Sequence, residues 1–204
     1  MPERSDDSKS ILEESEDLFL KMRREKGEAE IIKQQRESAM LDNFLTAYLR
    51  ATGERIDFIE KCESPDFILS RSDRRKFGLE LVRVTQYPRL AHFNIATRGQ
   101  SVDPRIAIEM LECEFYKKDF KRRRPDWKYS DSTILVIELP NISIQEIFPF
   151  LSSRHLPDMY HSEFEEIWLM DYTETEAFDD VELFCVTPKI WAGYHPREPK
   201  KPYG

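Results

Sequence analysis

The chain has three cysteines in 204 residues, Cys62, Cys113 and Cys185, an odd number without a C-x-x-C pair. That argues against a disulfide framework and a thiolate zinc site, and a reducing compartment, the cytoplasm, is the expectation. Glycine is equally scarce, with six residues, and none falls in a Walker loop, a G-x-G-x-x-G turn or a G-x-S-x-G elbow. That argues against a P-loop nucleotidase, a dinucleotide enzyme and an α/β-hydrolase. No apolar run approaches the ~20 residues that a membrane helix needs, so no membrane role is expected. The opening Met1-Pro2-Glu3-Arg4-Ser5-Asp6-Asp7 has no apolar core, and no secretory signal is expected from it. The four histidines, His92, His155, His161 and His195, lack metal-ligand spacing and are expected on surfaces or loops. Positive charge is not in excess either: the net charge is −8, which does not suggest non-specific binding to nucleic acid. A locally basic cleft remains compatible with that total.

What is present suits a folded domain. Forty per cent of residues are hydrophobic and 12% aromatic, enough to build a core in a chain of this length. Residues 8–50 contain no proline and one glycine, Gly27, and read as helix, with Gly27 expected to divide or kink it. The first half is charged. It reads either as a partner-binding arm or as a solvated helix lying on its own domain. The second half carries the stronger apolar stripe, Ala29, Ile32, Ala39, Met40, Phe44, Leu45, Tyr48 and Leu49, and should pack on a sheet.

Strand-like runs follow at residues 55–60, 64–69 and 77–84, and Asp103-Pro104 then opens a helix running toward Phe120. Thr133 to Leu139 is a near-continuous apolar run of the sort found in a central strand covered on both faces. A short helix over 142–151 and two strands near 164–172 and 181–186 complete the pattern. The order predicts an α/β fold, a mixed central sheet flanked by helices after a long N-terminal helical region. The expected organisation is a charged helical arm (1–27), an α/β domain (28–187) and a Pro-rich irregular tail (188–204).

The most informative stretch is Ser64-Pro65-Asp66-Phe67-Ile68-Leu69, a polar turn, and Phe77-Gly78-Leu79-Glu80-Leu81-Val82-Arg83-Val84, which reads as a β-hairpin. Each run sets one acid in a hydrophobic pattern, Asp66 and then Glu80. A carboxylate there is costly unless a basic partner or a divalent cation compensates it. Paired carboxylates on adjacent strands suit a hard cation such as Mg²⁺, which takes oxygen ligands and keeps several waters.

Pro65-Asp66, a turn and Glu80 in an apolar strand resemble the core of the PD-(D/E)XK nuclease superfamily, the restriction-endonuclease-like fold. The resemblance covers roughly residues 28–187, and its specific part is the hairpin. It implies a metal-dependent endonuclease hydrolysing DNA phosphodiester bonds, with Asp66 and Glu80 as ligands of Mg²⁺ or Mn²⁺ and the Leu81 carbonyl as a third. A carboxylate from the preceding helix would complete the metal set, Glu37 first and Glu30 behind it, while Glu60 and Glu63 also lie near in sequence. The lysine of the family motif is replaced by Val82. Arg83 should face away from Glu80, and Gln86 shares its parity. Lys117 or Lys118, or else Lys61, would stand in for the missing catalytic lysine.

The run Lys117, Lys118, Lys121, Arg122, Arg123 and Arg124 places six basic residues in eight positions. Favourable charge at a helix C-terminus accounts for part of it. The rest suits phosphate contacts that position nucleic acid, or an acidic protein surface. The alternative reading, favoured by Val82 and the acidic balance, is a catalytically silent nuclease-fold subunit that binds or scaffolds in a defence or DNA-transaction complex. Dimerisation is left open.

Overall fold

The computed structural model describes residues 7–84, 103–139, 142–152, 154–173 and 181–187, with side chains described from Gly27 onward. Gln86, His92, the acidic turn between the last two strands, and the tail with Trp191, Tyr194 and His195 lie outside the described residues. The elements are α1 (Asp7–Thr52), β1 (Ile56–Lys61), β2 (Phe67–Arg71), β3 (Lys76–Arg83), α2 (Pro104–Arg122) and β4 (Thr133–Leu139). After them come α3 (Ile144–Ile147), which continues as a 3₁₀ turn (Phe148–Phe150), then α4 (Pro157–Tyr160), β5 (Glu166–Asp171) and β6 (Glu182–Thr187). No helix among the described residues is long and apolar enough to cross a membrane.

The chain divides into two compact units, Met1–Ala39 and Met40–Gly204. The first is helical from Asp7 onward, and Gly27 does not divide the helix in two, contrary to one of the two expectations for it. One glycine costs a helix about 1 kcal/mol against alanine, and the Glu, Lys, Arg, Gln and Ala around it are strong helix formers. Its residues 27–39 are exposed except for the half-buried Glu37, so Ala29 and Ile32 do not belong to a packed stripe.

The second unit is an α/β body. The apolar stripe of α1 that packs begins at Met40 and runs through Leu41, Phe44, Ala47, Tyr48 and Ala51, a spacing of three and four that keeps one face inward. Leu49 falls off that face and is exposed.

The six strands lie in the order β1-β2-β3-β4-β5-β6, so every strand pairs with its neighbour in sequence. β1–β2, β2–β3 and β5–β6 are antiparallel, whereas β3–β4 and β4–β5 are parallel. All seven residues of β4 are buried, as its uninterrupted apolar run requires of a strand covered on both sides. Alternate side chains divide between two cores. Phe77, Leu79, Leu81, Ile134, Val136, Trp168 and Met170 pack with the end of α1. Val82, Val84, Leu135, Ile137, Leu139, Ile167 and Leu169 pack with α2, α3 and α4. At the open margin, β1 buries only Ile56 and shifts register between Phe58 and Glu60.

One charged network is built into the α1 side. The Arg71 guanidinium donates to Glu166 Oε1 at 2.8 Å, to the Tyr48 hydroxyl at 3.0 Å and to Glu54 Oε2 at 2.5 Å. Tyr48 and the Trp168 indole N–H also donate to the two Glu166 oxygens, at 3.1 and 2.6 Å. Burial pushes the Tyr48 phenol well above its ordinary value. Burial pulls the Arg71 guanidinium down, but its hydrogen bonds to Tyr48 and Glu166 outweigh that and hold it protonated. Removing one partner of a buried pair strands the other charge. Arg71→Ala is therefore expected to lower unfolding free energy by about 3 kcal/mol, seen as a reduced urea midpoint; a midpoint equal to wild type would show that the network contributes nothing to stability.

Candidate active site

The β2–β3 ladder ends at Phe67↔Leu79, so Asp66 lies one residue before its first pair and Glu80 one residue past Leu79, with the Glu80 side chain on the α2 side. The chain bends over residues 63–66, which ends the ladder before Asp66. Its Oδ2 accepts the Leu81 N–H at 2.8 Å, satisfying a backbone donor beyond the last paired residue. In return the Asp66 N–H donates to Glu80 Oε2 at 3.2 Å. Two bonds thus fix the acids to each other's strand.

Gly78 explains why the bend fits. A Cβ there would stand 2.6 Å from Pro65 Cγ and 3.0 Å from Thr133 Oγ1, so the absent side chain leaves the space in which Pro65 lies. The Pro-Asp and Gly-Leu-Glu segments are complementary in shape as well as chemistry.

Glu80 is 0% exposed. Its Oε1 receives two ammoniums from α2, Lys118 Nζ at 2.5 Å and Lys121 Nζ at 3.3 Å. The inward stripe of α2 explains their arrival: Ala107, Leu111 and Glu114 are buried, and the same face carries Lys118 and Lys121 one and two turns on. Val82, two residues along β3, belongs to the apolar cluster with Ile108, Leu111 and Phe115. Position 82, where the resemblance would set a lysine, is therefore core, and the ammoniums that reach Glu80 come from α2. Arg83 points to the other face, where its Nε lies 3.5 Å from Glu138, as strand alternation requires.

Of the replacement lysines expected, Lys118 alone stands on Glu80. Lys117 pairs with Glu114 at 2.6 Å, and Lys61 Nζ lies 5.8 Å from the centre of the Phe67 ring. Lys121, read from sequence only as a phosphate contact, also belongs to the site. Its spacing of three from Lys118 was the signal. Lys121 Nζ further reaches the Glu63 carbonyl at 3.4 Å and sits 5.2 Å from the Trp127 ring centre.

Within the N-terminal unit Glu37 lies 3.7 Å from Lys33, and Glu30 accepts from Gln34. In the α/β unit two further acids have other partners. Glu60 lies 3.9 Å from Lys128, and Glu63 contributes its backbone rather than its carboxylate. Among the described residues, no group of three or more His, Cys, Asp or Glu forms a metal cluster. The oxygen donors at the hairpin are Asp66 and Glu80, a hard pair suited to a cation that keeps most of its waters.

The basic run is not a uniform patch. Arg122, 3% exposed, holds the Ser130 carbonyl at 3.0 Å and Glu163 at 2.8 Å, so it ties the end of α2 to two loops and does not face solvent as a phosphate contact must. Arg122 beside Glu163 holds that carboxyl below its usual range. Arg123 pairs with Asp119 and Arg124 with Asp126, and both stay exposed with Lys117. Burial pushes the Cys62 thiol up, with Lys128 and Glu60 as smaller influences, which leaves it a poor nucleophile near the bend. His155 and His161 are exposed, and His155 Nδ1 lies 3.0 Å from Ser152 Oγ.

No family model, curated protein or solved structure matches the chain.

Gly78→Ala is expected to cost about 1–3 kcal/mol, the range for overpacking a filled site. Equilibrium urea unfolding checks this, and an unchanged midpoint would mean that the Pro65 ring yields freely.

Proposed function

We propose that the hairpin and α2 form a divalent-metal-dependent site that hydrolyses phosphodiester bonds in DNA, on a restriction-endonuclease-like domain. The observation that carries this reading is the Lys118 ammonium 2.5 Å from the buried Glu80, whose other oxygen accepts from the Asp66 N–H. It supplies from a helix the charge that Val82 cannot supply from the strand. A mixed sheet whose antiparallel hairpin is followed by a helix and a parallel strand supports the fold assignment.

Asp66 and Glu80 would hold Mg²⁺ or Mn²⁺, which contributes Lewis acidity and a bound water of lowered pKa. The chain's own groups do the positioning. The Leu81 N–H fixes the Asp66 carboxylate, and the Asp66 N–H fixes that of Glu80, so neither acid must be ordered when substrate arrives. Lys118 holds a positive charge where negative charge develops on the phosphoryl oxygens. Lys117, Arg123 and Arg124, exposed along the same helix end, would position the DNA backbone without reading its sequence.

A second reading has its own observation. Both oxygens of Glu80 already have donors from the protein, so its burial is compensated without any added ion. On that reading the chain is a silent nuclease-fold subunit of an intracellular assembly, and the N-terminal helix serves as the arm that engages a protein partner.

Supercoiled plasmid incubated with Mg²⁺, with Mn²⁺ and with EDTA separates the two. Nicking is expected with either metal and not with EDTA. Asp66→Asn and Glu80→Gln should abolish it with unchanged circular dichroism, and Lys118→Met should slow it about 100-fold, the effect of removing one charge-stabilising donor. Lys117→Ala should leave the rate near wild type at saturating DNA. Nicking that persists in both acid variants removes this site; a folded wild-type chain that never nicks establishes the silent reading.

A further inference from the structure

At the hairpin the Glu80 carboxylate meets two ammoniums, Lys118 and Lys121, and the Asp66 N–H, while the Asp66 carboxylate is held next door on the Leu81 N–H; the formal charges of these four side chains sum to zero. A divalent cation added to this group would stand beside two like charges, which is unfavourable in a partly buried place. One ammonium must withdraw for the cation to enter.

The two lysines are not equivalent. Lys118 makes the shorter contact, 2.5 Å, and its side chain is 19% exposed. Lys121 makes the longer one, 3.3 Å, and is 31% exposed. Lys121 also has somewhere to go: its Nζ already touches the Glu63 carbonyl at 3.4 Å and lies over the Trp127 ring. These neutral partners hold an ammonium without competing for the carboxylate.

We propose that Lys121 is an exchangeable counter-ion of Glu80, which occupies the carboxylate in the metal-free chain and gives way to a divalent cation. This rests on the metal-site reading above and adds a regulation to it. Lys121 balances the Glu80 charge at low metal, sets the cation concentration at which the site fills, and on release presents its own charge beside the site, where an anionic substrate arrives.

Calorimetric titration of the full-length chain with Mn²⁺ tests this. Lys121→Gln is expected to bind Mn²⁺ about tenfold more tightly than wild type, the order of one like charge removed at intermediate polarity. Lys121→Arg, which keeps the charge and the contact with Trp127, should bind as wild type does. Lys117→Gln removes a charge from the same helix away from Glu80 and should change affinity little. Glu80→Gln should lose the binding, which places the ion. The same order should appear as the rise in thermal midpoint on adding Mn²⁺. Equal or weaker affinity in Lys121→Gln, with binding still lost in Glu80→Gln, overturns the exchange and leaves the metal site standing. Absence of binding in wild type and Lys121→Gln alike overturns both.

Discussion

A carboxylate with no solvent exposure sits at the junction of β2, β3 and α2, and the arrangement around it follows from the need to compensate it. Glu80 lies on β3, where the next side chain on that face, Val82, is core, as is Val84 just past the strand. An uncompensated charge there would cost several kcal/mol. The compensation draws three separate pieces of chain together: the bend at Asp66 gives a backbone N–H, and α2 gives two ammoniums. The bend in turn depends on Pro65 lying over Gly78. One buried charge thus dictates a glycine, a loop path and the polar end of a helix.

The contrast with Glu166 is instructive. That carboxylate is also buried, but its partners are a guanidinium, a phenol and an indole, all planar groups locked by packing. Arg71 cannot deprotonate or swing away easily, and such a network fixes α1 to the sheet. Glu80 is instead held by flexible lysines with partial access to water. The same charge in the same sheet is clamped on one face and exchangeable on the other, and the exchangeable one lies beside a second acid.

Much of this was legible before any coordinates. The period-two hairpin, the uninterrupted run of β4 and the Asp103-Pro104 helix start each carry a strong local signal, and they correspond to elements that formed. The misses have physical causes. Gly27 reads as a breaker because local propensity is visible, while the helix formers on both sides outweigh it. Ala29 and Ile32 look like continued stripe but are exposed, because periodicity shows which residues share a face and not whether that face is covered. Lys121 and Arg122 are adjacent and chemically alike, yet one reaches Glu80 and the other is buried against Glu163 and Ser130. Only the packing of α2 separates them. The hairpin that brings Asp66 near Glu80 was visible in the pattern, whereas the Asp66 N–H contact to Glu80 and the approach of Lys118 rather than Lys117 or Lys61 depend on the bend and on where α2 lies.

The slipped register at Ile59 bears on how the molecule behaves in company. β1 is an outer strand with Phe58 and Ile59 exposed, the kind of border on which another chain can add its own strand. The extra residue there interrupts the even row of outward amides and carbonyls and twists the border locally. A would-be adherent strand finds no long run to zip along. Two oily side chains can therefore remain at the rim beside the hairpin without the rim becoming a seed for fibrils.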